Sequence, residues 1–343
     1  MPARLPAHLR PGDTIAVTAP SSGVSPALQP RLDVAIADLR RRGYEVLEGV
    51  CLRDDRDHHV SASREARADE LMALLVDPDV AAVIPPWGGE TGIDVLRHLD
   101  LDLLAECGPC WYVGFSDTTT TMLPLTLRSG WATLHGLNLM DSPYAPAPGL
   151  LHWMDVATSE GGELTQTAAT HRRAGGWDDY VADPGVDELT LAEPTRWSLL
   201  DGGTASFAGP LIGGCLEVVS PLSGSPYGDV PGWARQQDRP PVLLLEAAEG
   251  NAFETARVLH GLRLSGWFDR CAGVLVGRTP APDAPSLTQH EAVRDALCDL
   301  DVPVVLDVDF GHQQPMMPLV LGAEARVEVG PQGQRITQDL RRP

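Results

Sequence analysis

A serine lies at a predicted corner of the chain, in the segment WYVGFSDTTTTML at residues 111–123. The first five residues are apolar and predict a buried strand, and the threonine-rich remainder predicts the start of a helix. In a strand-to-helix turn of this kind the hydroxyl projects out of the sheet, where it can act as a nucleophile. Gly114 fits the G-x-S-x-G pattern of such turns, but Thr118 stands where the second glycine is expected. Ser116 is therefore a candidate nucleophile, and the alternative is that Ser116 or Asp117 only caps the following helix.

A serine hydroxyl becomes a nucleophile beside a base, and histidine has a side-chain pKa suited to neutral pH. His312 is the best candidate by position, because it directly follows an apolar strand and a glycine. Glu246 ends the apolar run at 242–245, where its carboxylate could orient a histidine ring or bind a nearby helix N-terminus. His135, in the segment ATLHGLN, is a candidate substrate contact. The remaining histidines lie in polar or helical settings without special context: His8, His58, His59, His98, His152, His171, His260 and His290.

The first third of the chain alternates predicted strands and helices, and this alternation is what would position Ser116. Strands are predicted at residues 14–19, 44–50, 80–84 and 111–115, and helices at 28–42, 61–75, 93–106 and 118–127. Strands separated by helices of this length form βαβ units and a parallel, buried sheet. Ligands of such sheets bind beyond the carboxyl ends of the strands, so Trp87, Gly88 and Gly89 are expected at the same edge as Ser116.

The alternation stops near residue 142, and from about 161 to 203 the chain is rich in Gly, Pro, Asp and Thr, with Trp177 and Trp197 embedded in it. A connection this long is usually functional or marks a domain boundary. Beyond it we predict strands at 242–245, 273–277 and 302–308, helices at 252–264 and 287–300, and a terminal hairpin. The fold class is therefore α/β, with an N-terminal parallel-sheet (Rossmann- or flavodoxin-like) domain and a smaller C-terminal mixed α/β domain. The predicted bounds are 1–165 for the first domain, 166–204 for the connecting segment and 205–343 for the second domain.

The composition is that of a globular protein and argues against polyanionic partners. The 343 residues include 47 acidic and 26 basic side chains, and the resulting formal net charge of −21 repels nucleic acid and anionic lipid. No apolar run approaches the roughly 20 residues that span a bilayer, and prolines interrupt the N-terminus. We therefore expect neither a nucleic-acid nor a membrane partner, and a cytoplasmic location is the default.

The tetrapeptide Cys107-Gly-Pro-Cys110 has the spacing of a thioredoxin redox pair, but a predicted helix precedes it and a strand follows it. The helix N-terminus that would lower the thiol pKa is therefore missing, and we expect a turn with two incidental thiols. No metal site is predicted, because no second Cys/His pair has ligand spacing. No cofactor is predicted either.

Four segments spread over nearly the whole chain make a more specific pattern. They are GDTIAVTAPSS at 12–22, VGFSDTT at 113–119, LLLEAAEG at 243–250 and DFGHQQPMMPLVLG at 309–322, with glycine pairs at 88–89 and 213–214. Each segment alone is a weak signal. In this order and spacing they make the chain resemble the LD-carboxypeptidase family of serine peptidases, which includes the microcin C self-immunity peptidases.

The resemblance implies a catalytic triad in which Ser116 is the nucleophile, His312 the general base and Glu246 the group that holds the imidazole. It also implies an oxyanion hole made by the backbone N–H groups of Gly89 and Asp117. The site would lie between the two domains, and the protein would be a homodimer.

The chain departs from the family pattern at two positions that we expect at the rim of the site. Ala247 stands where the family commonly has an acid, and Cys215 stands where asparagine is common. Glu249 lies close to the first departure and is an alternative orienting acid. These departures concern the substrate more than the reaction.

The resemblance leaves two kinds of substrate open. LD-carboxypeptidases remove a terminal D-alanine from a cell-wall tetrapeptide, and the immunity peptidases cut an amide that joins an amino acid to a nucleotide-like antibiotic. The segment HGLNLMD and the tryptophans of the connecting segment favour the second kind, because an indole can stack on a nucleobase; hinge packing is the alternative for both tryptophans. An observation against the second kind is that no Lys or Arg closely follows Glu246 to bind a phosphate.

The predicted substrate-binding residues are Trp87, Gly88, His135, Asn138, Trp177 and Trp197. The alternative function is a catalytically silent small-ligand-binding protein on the same fold.

Overall fold

The computed structural model describes residues 3–53 and 60–342 of the chain. Its strands, numbered in chain order, are β1 Thr14–Val17, β2 Glu45–Glu48, β3 Val80–Ile84, β4 Trp111–Gly114, β5 Thr133–His135, β6 Glu163–Thr167, β7 His171–Arg172, β8 Glu193–Pro194, β9 Ser198–Leu199, β10 Ala205–Cys215, β11 Val242–Glu246, β12 Gly273–Gly277, β13 Val304–Val308, β14 Leu319–Leu321, β15 Glu324–Gly330 and β16 Gly333–Asp339. Its α-helices are α1 Gln29–Arg41, α2 Arg64–Val76, α3 Leu101–Glu106, α4 Thr119–Arg128, α5 Trp153–Ala157, α6 Leu216–Leu222, α7 Val230–Gln236, α8 Ala252–Leu264 and α9 Gln289–Leu297.

Among these described helices, none combines the length and the apolar character that crossing a membrane requires. His58 and His59, for which the sequence suggests no role, lie outside the described residues.

The first sheet has six strands in the order β14-β5-β4-β3-β1-β2. The neighbours from β2 to β5 pair in parallel, and β14 pairs antiparallel with β5. Every residue of the central strand β4 is buried, as expected for a parallel strand that is covered on both faces. The parallel α/β sheet predicted from the alternation is confirmed, and the carboxyl ends of β3 and β4 lie side by side.

The predicted helix at residues 93–106 is interrupted in the structure. A 3₁₀ helix occupies Gly92–His98, and α3 begins only at Leu101. The Asp100 side chain accepts a hydrogen bond of 2.9 Å from the Leu103 N–H, so it caps a new helix. Apolar residues continue across the break, which is why periodicity alone missed the boundary.

The second sheet has eight strands in the order β6-β16-β15-β10-β11-β12-β13-β9. The strands from β10 to β13 pair in parallel, and the others pair antiparallel, including the hairpin of β15 and β16. This confirms the mixed α/β character and the terminal hairpin. The register places Cys215 opposite Glu246, so both residues stand at the carboxyl ends of neighbouring strands.

Two strands each pair in the sheet that is formed mainly by the other predicted domain. β14 comes late in the chain but completes the first sheet on β5, and β6 spans the predicted limit at residue 165 but pairs with β16 in the second sheet. The connecting segment also contributes the paired strands β7 and β8, and β9 at the edge of the second sheet. The predicted domain bounds stay a prediction, and the exchanged strands tie the two sheets together.

Helix α4, which follows Ser116, packs between the two sheets. It contacts α6 and β10 of the second sheet, and its buried Met122 belongs to the same hydrophobic cluster as Leu211. The side chain of Thr119 lies so close to Gly214 that a Cβ at that glycine would overlap it. The second glycine pair therefore lets the serine-bearing turn approach the second sheet.

Candidate active site

Ser116 occupies a strained turn at the carboxyl end of β4. Its φ is 61°, in the left-handed region that costs a non-glycine residue on the order of 1–3 kcal/mol. Two residues earlier Gly114 has a φ of 152°, and a Cβ there would stand 2.5 Å from Oδ1 of Asn138. That oxygen accepts hydrogen bonds of 3.3 Å from the Phe115 N–H and the Thr118 hydroxyl. The turn is therefore held from both sides, with the serine at its corner.

Asp117 anchors this turn through its buried carboxylate. Oδ2 accepts hydrogen bonds from the Ser21 hydroxyl at 2.6 Å and the Gly92 N–H at 2.7 Å, and Oδ1 accepts one from the Thr120 hydroxyl at 2.9 Å. Within the described part of the chain, no side chain caps the 3₁₀ turn that begins at Ser116 or helix α4. The capping alternative for these two residues is therefore wrong.

His312 joins the serine hydroxyl to a buried carboxylate. Its Nε2 lies 2.9 Å from Oγ of Ser116, and its Nδ1 lies 2.9 Å from Oε2 of Glu246. Both distances are within the reach expected of a nucleophile, its base and the group that orients the base. Glu246 is fully buried, and the His312 side chain is 15% exposed. Burial lowers the pKa of His312, but the charge of Glu246 and its hydrogen bond raise this pKa above its ordinary value.

The local sequence explains why Glu246, and not Glu249, meets the ring. Gly311 has a φ of 98°, and a Cβ there would stand 2.9 Å from Oε2 of Glu246, so glycine permits the close approach. Glu249 is exposed, and its N–H donates a 3.0 Å hydrogen bond to the carboxylate of Glu217. The alternative orienting acid therefore lies away from the imidazole.

A fully buried ion pair holds the segment that carries His312. The side chains of Asp309 and Arg278 are 0% and 2% exposed and form this pair. Oδ2 of Asp309 also accepts hydrogen bonds from the Trp197 indole at 2.7 Å and the Ala169 N–H at 3.0 Å. Trp197 is fully buried, so its predicted role in substrate binding is corrected to the packing alternative.

His135 lies beneath the site and has no exposed surface to offer a substrate. Its ring packs edgewise against Phe115 and Phe310, with ring centroids 6.4 and 6.0 Å apart. Burial lowers its pKa to about 4, so the ring is neutral at physiological pH. Among the described residues neither ring nitrogen has a hydrogen-bond partner. The predicted substrate contact at His135 is therefore corrected to a packing role.

Ser116 and His312 open into a cavity of about 430 Å³. It is lined by Trp87, Gly88, Asn138 and Trp177, which are predicted substrate-binding residues, and by Leu28, Phe115, Asp141, Asp178, Asp179 and Tyr180. Trp177 is 44% exposed, so part of its indole is free to meet a ligand. Among the described residues, the lining includes three carboxylates and neither Lys nor Arg.

Much of the acidic lining comes from the connecting segment, and the sequence reasoning missed it. The Asp178 carboxylate accepts two hydrogen bonds from Arg173, at 2.8 and 2.7 Å, and the Tyr180 hydroxyl donates one of 2.5 Å to Asp141. Burial raises the pKa of Asp141 to about 6. The buried Arg31 of α1 donates to two carbonyls of the same segment. The run Trp-Asp-Asp-Tyr, which begins at the predicted tryptophan, is the sequence signal that could have revealed these residues.

The backbone of the first glycine pair lies against the turn that carries Ser116. The Asp117 N–H lies in the first turn of a helix, where amides have no intrahelical partner. Gly88 packs closely against this turn, since a Cβ at Gly88 would stand 2.8 Å from Cβ of Ser116 and 2.9 Å from N of Asp117. The segment that contains Gly89 therefore passes directly against the serine.

One group of side chains at the site has the ligand types for a metal ion. Cys215, Glu246 and His312 each offer an atom, and these atoms all lie within 4.8 Å of one another. The expectation that the departure at Cys215 falls on the rim is therefore wrong, because this cysteine stands beside the imidazole and the carboxylate.

Comparison with known proteins gives the class of the protein. The model of the LD-carboxypeptidase N-terminal domain matches residues 15–136, and that of the LD-carboxypeptidase C-terminal domain matches residues 208–327. A Streptomyces coelicolor protein named as a carboxypeptidase is 30% identical over 332 residues, which cover 94% of this chain and 93% of that protein. A Bacillus subtilis protein named as a murein peptide carboxypeptidase is 24% identical over 93% of this chain and 90% of that protein. The chain belongs to the LD-carboxypeptidase family.

The fold is shared with a solved relative. The structure of MccF in complex with glutamyl sulfamoyl guanosine aligns with a TM-score of 0.81 at 21% identity, over 98% of this chain and 99% of that chain. This likeness shows the two-domain fold. The family is one of peptidases, so the chain is classed with the hydrolases.

Proposed function

We propose that the protein is a serine-type hydrolase of a small peptide-like amide. The observation that carries the proposal is the single His312 ring, which lies 2.9 Å from both the Ser116 hydroxyl and the Glu246 carboxylate. Nε2 of His312 takes the hydroxyl proton while Oγ of Ser116 attacks the carbonyl carbon. The imidazolium then gives this proton to the leaving amine, and water releases the acyl group by the same route. Glu246 keeps the proton on Nδ1 and stabilises the imidazolium.

The developing oxyanion would be bound by the backbone N–H groups of Gly89 and Asp117. The proposal is supported by the close passage of the glycine pair against the serine turn. A single such donor typically contributes about 3–4 kcal/mol of transition-state stabilisation. Backbone donors suit this role because the fold fixes them before the substrate arrives.

We propose that the substrate is either a murein tetrapeptide or an aminoacyl-nucleotide. A cavity of about 430 Å³ suits a ligand of this size. The name of the Bacillus subtilis relative favours the first kind. The half-exposed Trp177 favours the second, because an indole face can stack on a nucleobase. Among the described residues of the lining there is neither Lys nor Arg, so none of these residues offers a lysine or arginine cation to a phosphate or a terminal carboxylate.

The test is hydrolysis of a panel of murein tetrapeptides and aminoacyl-sulfamoyl nucleosides by the parent protein and by Ser116→Ala. We expect the parent to cleave at least one class and the variant to lose on the order of 10⁶-fold in kcat, as loss of a serine nucleophile typically costs. Circular dichroism should show the same fold in both proteins. If the parent binds members of the panel but cleaves none, the silent binding protein is the better description.

Two further expectations stay predictions: the homodimer and the cytoplasmic location. Light scattering on the purified protein tests the first, and cell fractionation of the source organism tests the second. Neither is needed for the proposed chemistry, because the serine, the imidazole and the carboxylate all come from one chain.

A further inference from the structure

The carboxyl ends of three strands of the second sheet bring a thiol, a carboxylate and an imidazole together. Cys215 ends β10, Glu246 ends β11 directly opposite it, and His312 lies just beyond β13. One ligand atom of each lies within 4.8 Å of the other two. Cys215 and Glu246 are 1% and 0% exposed, so the cluster is buried and reached through the partly exposed ring of His312.

Two features of this cluster remain unused by the proposed hydrolysis. Oε1 of Glu246 is buried and has no hydrogen-bond partner among the described residues, although burying an unpaired carboxylate oxygen is costly. The Cys215 thiol donates a hydrogen bond of 3.1 Å to Oε2 of Glu217, so a second carboxylate faces the same sulfur. The neighbourhood therefore combines an unsatisfied acceptor with an excess of negative charge.

We infer that Cys215, Glu246 and His312 form an inhibitory site for a divalent transition-metal ion of the zinc class. A set of one sulfur, one nitrogen and one carboxylate oxygen is typical of protein zinc sites. Bonds of about 2.0–2.3 Å place tetrahedral ligand atoms roughly 3.3–3.8 Å apart, so the side chains need to close by about 1–1.5 Å. Water or a substrate atom from the cavity completes the coordination.

The proton balance shows why metal binding stops the reaction. The Cys215 thiol loses its proton to solvent when the sulfur binds the metal. Nδ1 of His312, which faces Glu246, becomes a metal ligand, and its proton moves to Nε2. Nε2 then points an N–H at Ser116 and has no lone pair to accept the hydroxyl proton. The metal thus holds the histidine in the wrong tautomer, and the catalytic base is lost.

Metal binding is tested directly by titrating the metal-free full-length protein with Co²⁺ and recording the thiolate-to-cobalt charge-transfer absorption. We expect one equivalent to bind the parent protein with this absorption, and Cys215→Ala to lose it. The matched controls Cys107→Ser and Cys298→Ser remove thiols elsewhere in the fold and should keep it. Absorption that survives in Cys215→Ala, or that is absent from the parent, overturns the inference.

X-ray absorption at the zinc edge of the parent protein adds a test that needs no variant. One sulfur ligand supports the site, and a spectrum with only nitrogen and oxygen ligands overturns it.

Inhibition rests on the proposed hydrolysis, whereas metal binding does not. Once a substrate that the parent protein cleaves has been identified, Zn²⁺ should inhibit its hydrolysis and a chelator should restore the activity. Cys215→Ala should need at least about tenfold more Zn²⁺ for the same fractional inhibition, because loss of supporting groups alone weakens metal sites 10–100-fold. Equal inhibition of both proteins overturns the inference. If no substrate is cleaved but the cobalt absorption depends on Cys215, the proposed function fails and the metal site stands.

Discussion

The substitution Glu246→Gln removes one charge from the proposed triad and leaves the side-chain shape almost unchanged. Glu246 is fully buried, and its Oε2 lies 2.9 Å from Nδ1 of His312. The imidazolium that forms during the reaction would therefore lose its counter-charge. The glutamine can also turn its amide N–H₂ toward Nδ1, which favours the tautomer with the proton on Nε2.

The size of the effect follows from this geometry. Opposite charges about 4 Å apart attract by about 4 kcal/mol at an effective dielectric constant of 20. Since about 1.4 kcal/mol of activation energy changes a rate tenfold, this attraction corresponds to about three powers of ten in kcat. The corresponding substitution in a well-studied serine protease costs about 10⁴-fold because the wrong tautomer adds to the lost charge. We expect kcat of Glu246→Gln to fall by about 10³–10⁴-fold.

The pH profile of kcat/KM supplies an independent signature. The base must be neutral, so the rate rises as the pH increases through the pKa of His312. Burial lowers this pKa, and the charge of Glu246 and its hydrogen bond raise it to a net value above the ordinary one. Without this carboxylate the largest causes that raise the pKa are lost, while burial still lowers it and the more distant Glu217 and Glu249 still raise it, so the acid limb should move to lower pH in Glu246→Gln.

The matched control is Glu249→Gln, which removes the same charge from an exposed position close to the site. We expect its kcat to stay within about twofold of the parent value, since its exposed charge is screened by solvent. A Glu246→Gln enzyme within tenfold of the parent, or a Glu249→Gln enzyme equally impaired, would refute the assignment of the orienting acid. An unshifted acid limb would refute the electrostatic argument.

Three further substitutions probe the surroundings of the site. Gly88→Ala would place a Cβ 2.9 Å from Oγ of Ser116, so steady-state kinetics should show a loss of about 10²-fold in kcat while the thermal unfolding midpoint changes little. Asp309→Asn leaves a buried guanidinium without its counter-charge, and urea unfolding should show a loss of about 3–5 kcal/mol; a loss below 1 kcal/mol would mean that the ion pair does not hold the His312 segment. Trp177→Ala should change the free energy of unfolding by less than about 0.5 kcal/mol, but calorimetry should show binding of an aminoacyl-sulfamoyl nucleoside weakened by about 1–3 kcal/mol if the indole stacks on the base.

The parts of the fold that the sequence predicted well are those with strong local signals. The buried strand β4 and its turn follow from the uninterrupted apolar run at residues 111–115, which is followed directly by a serine and an aspartate. Helix α8 begins with an Asn251 and Glu254 capping box, close to the predicted start. The break before α3 was missed because one aspartate decides it, against an apolar pattern that continues across it.

The residues of the candidate site likewise fall into those that local sequence signals predict and those whose role depends on packing. Ser116, Glu246 and His312 could be nominated from the sequence because each follows an apolar strand, and the carboxyl ends of parallel strands gather at one edge. His135 and Trp197 carry equally suggestive side chains, but both are fully buried and neither lines the cavity. Whether a polar aromatic residue is exposed depends on packing by distant segments, which no local pattern records.

The sequence by itself determined the alternation of elements, the acidic character of the surface and the identity of the strand-end residues, because these depend on neighbours along the chain. Only the tertiary structure decided that one imidazole lies 2.9 Å from both a hydroxyl and a carboxylate. Only it placed the thiol of Cys215 beside them and folded the acidic connecting segment over the cavity. The physical reason is that the two contacts of His312 join residues 66 and 196 positions apart, and such contacts are fixed by the packing of α4 against the second sheet and by strand exchange between the sheets.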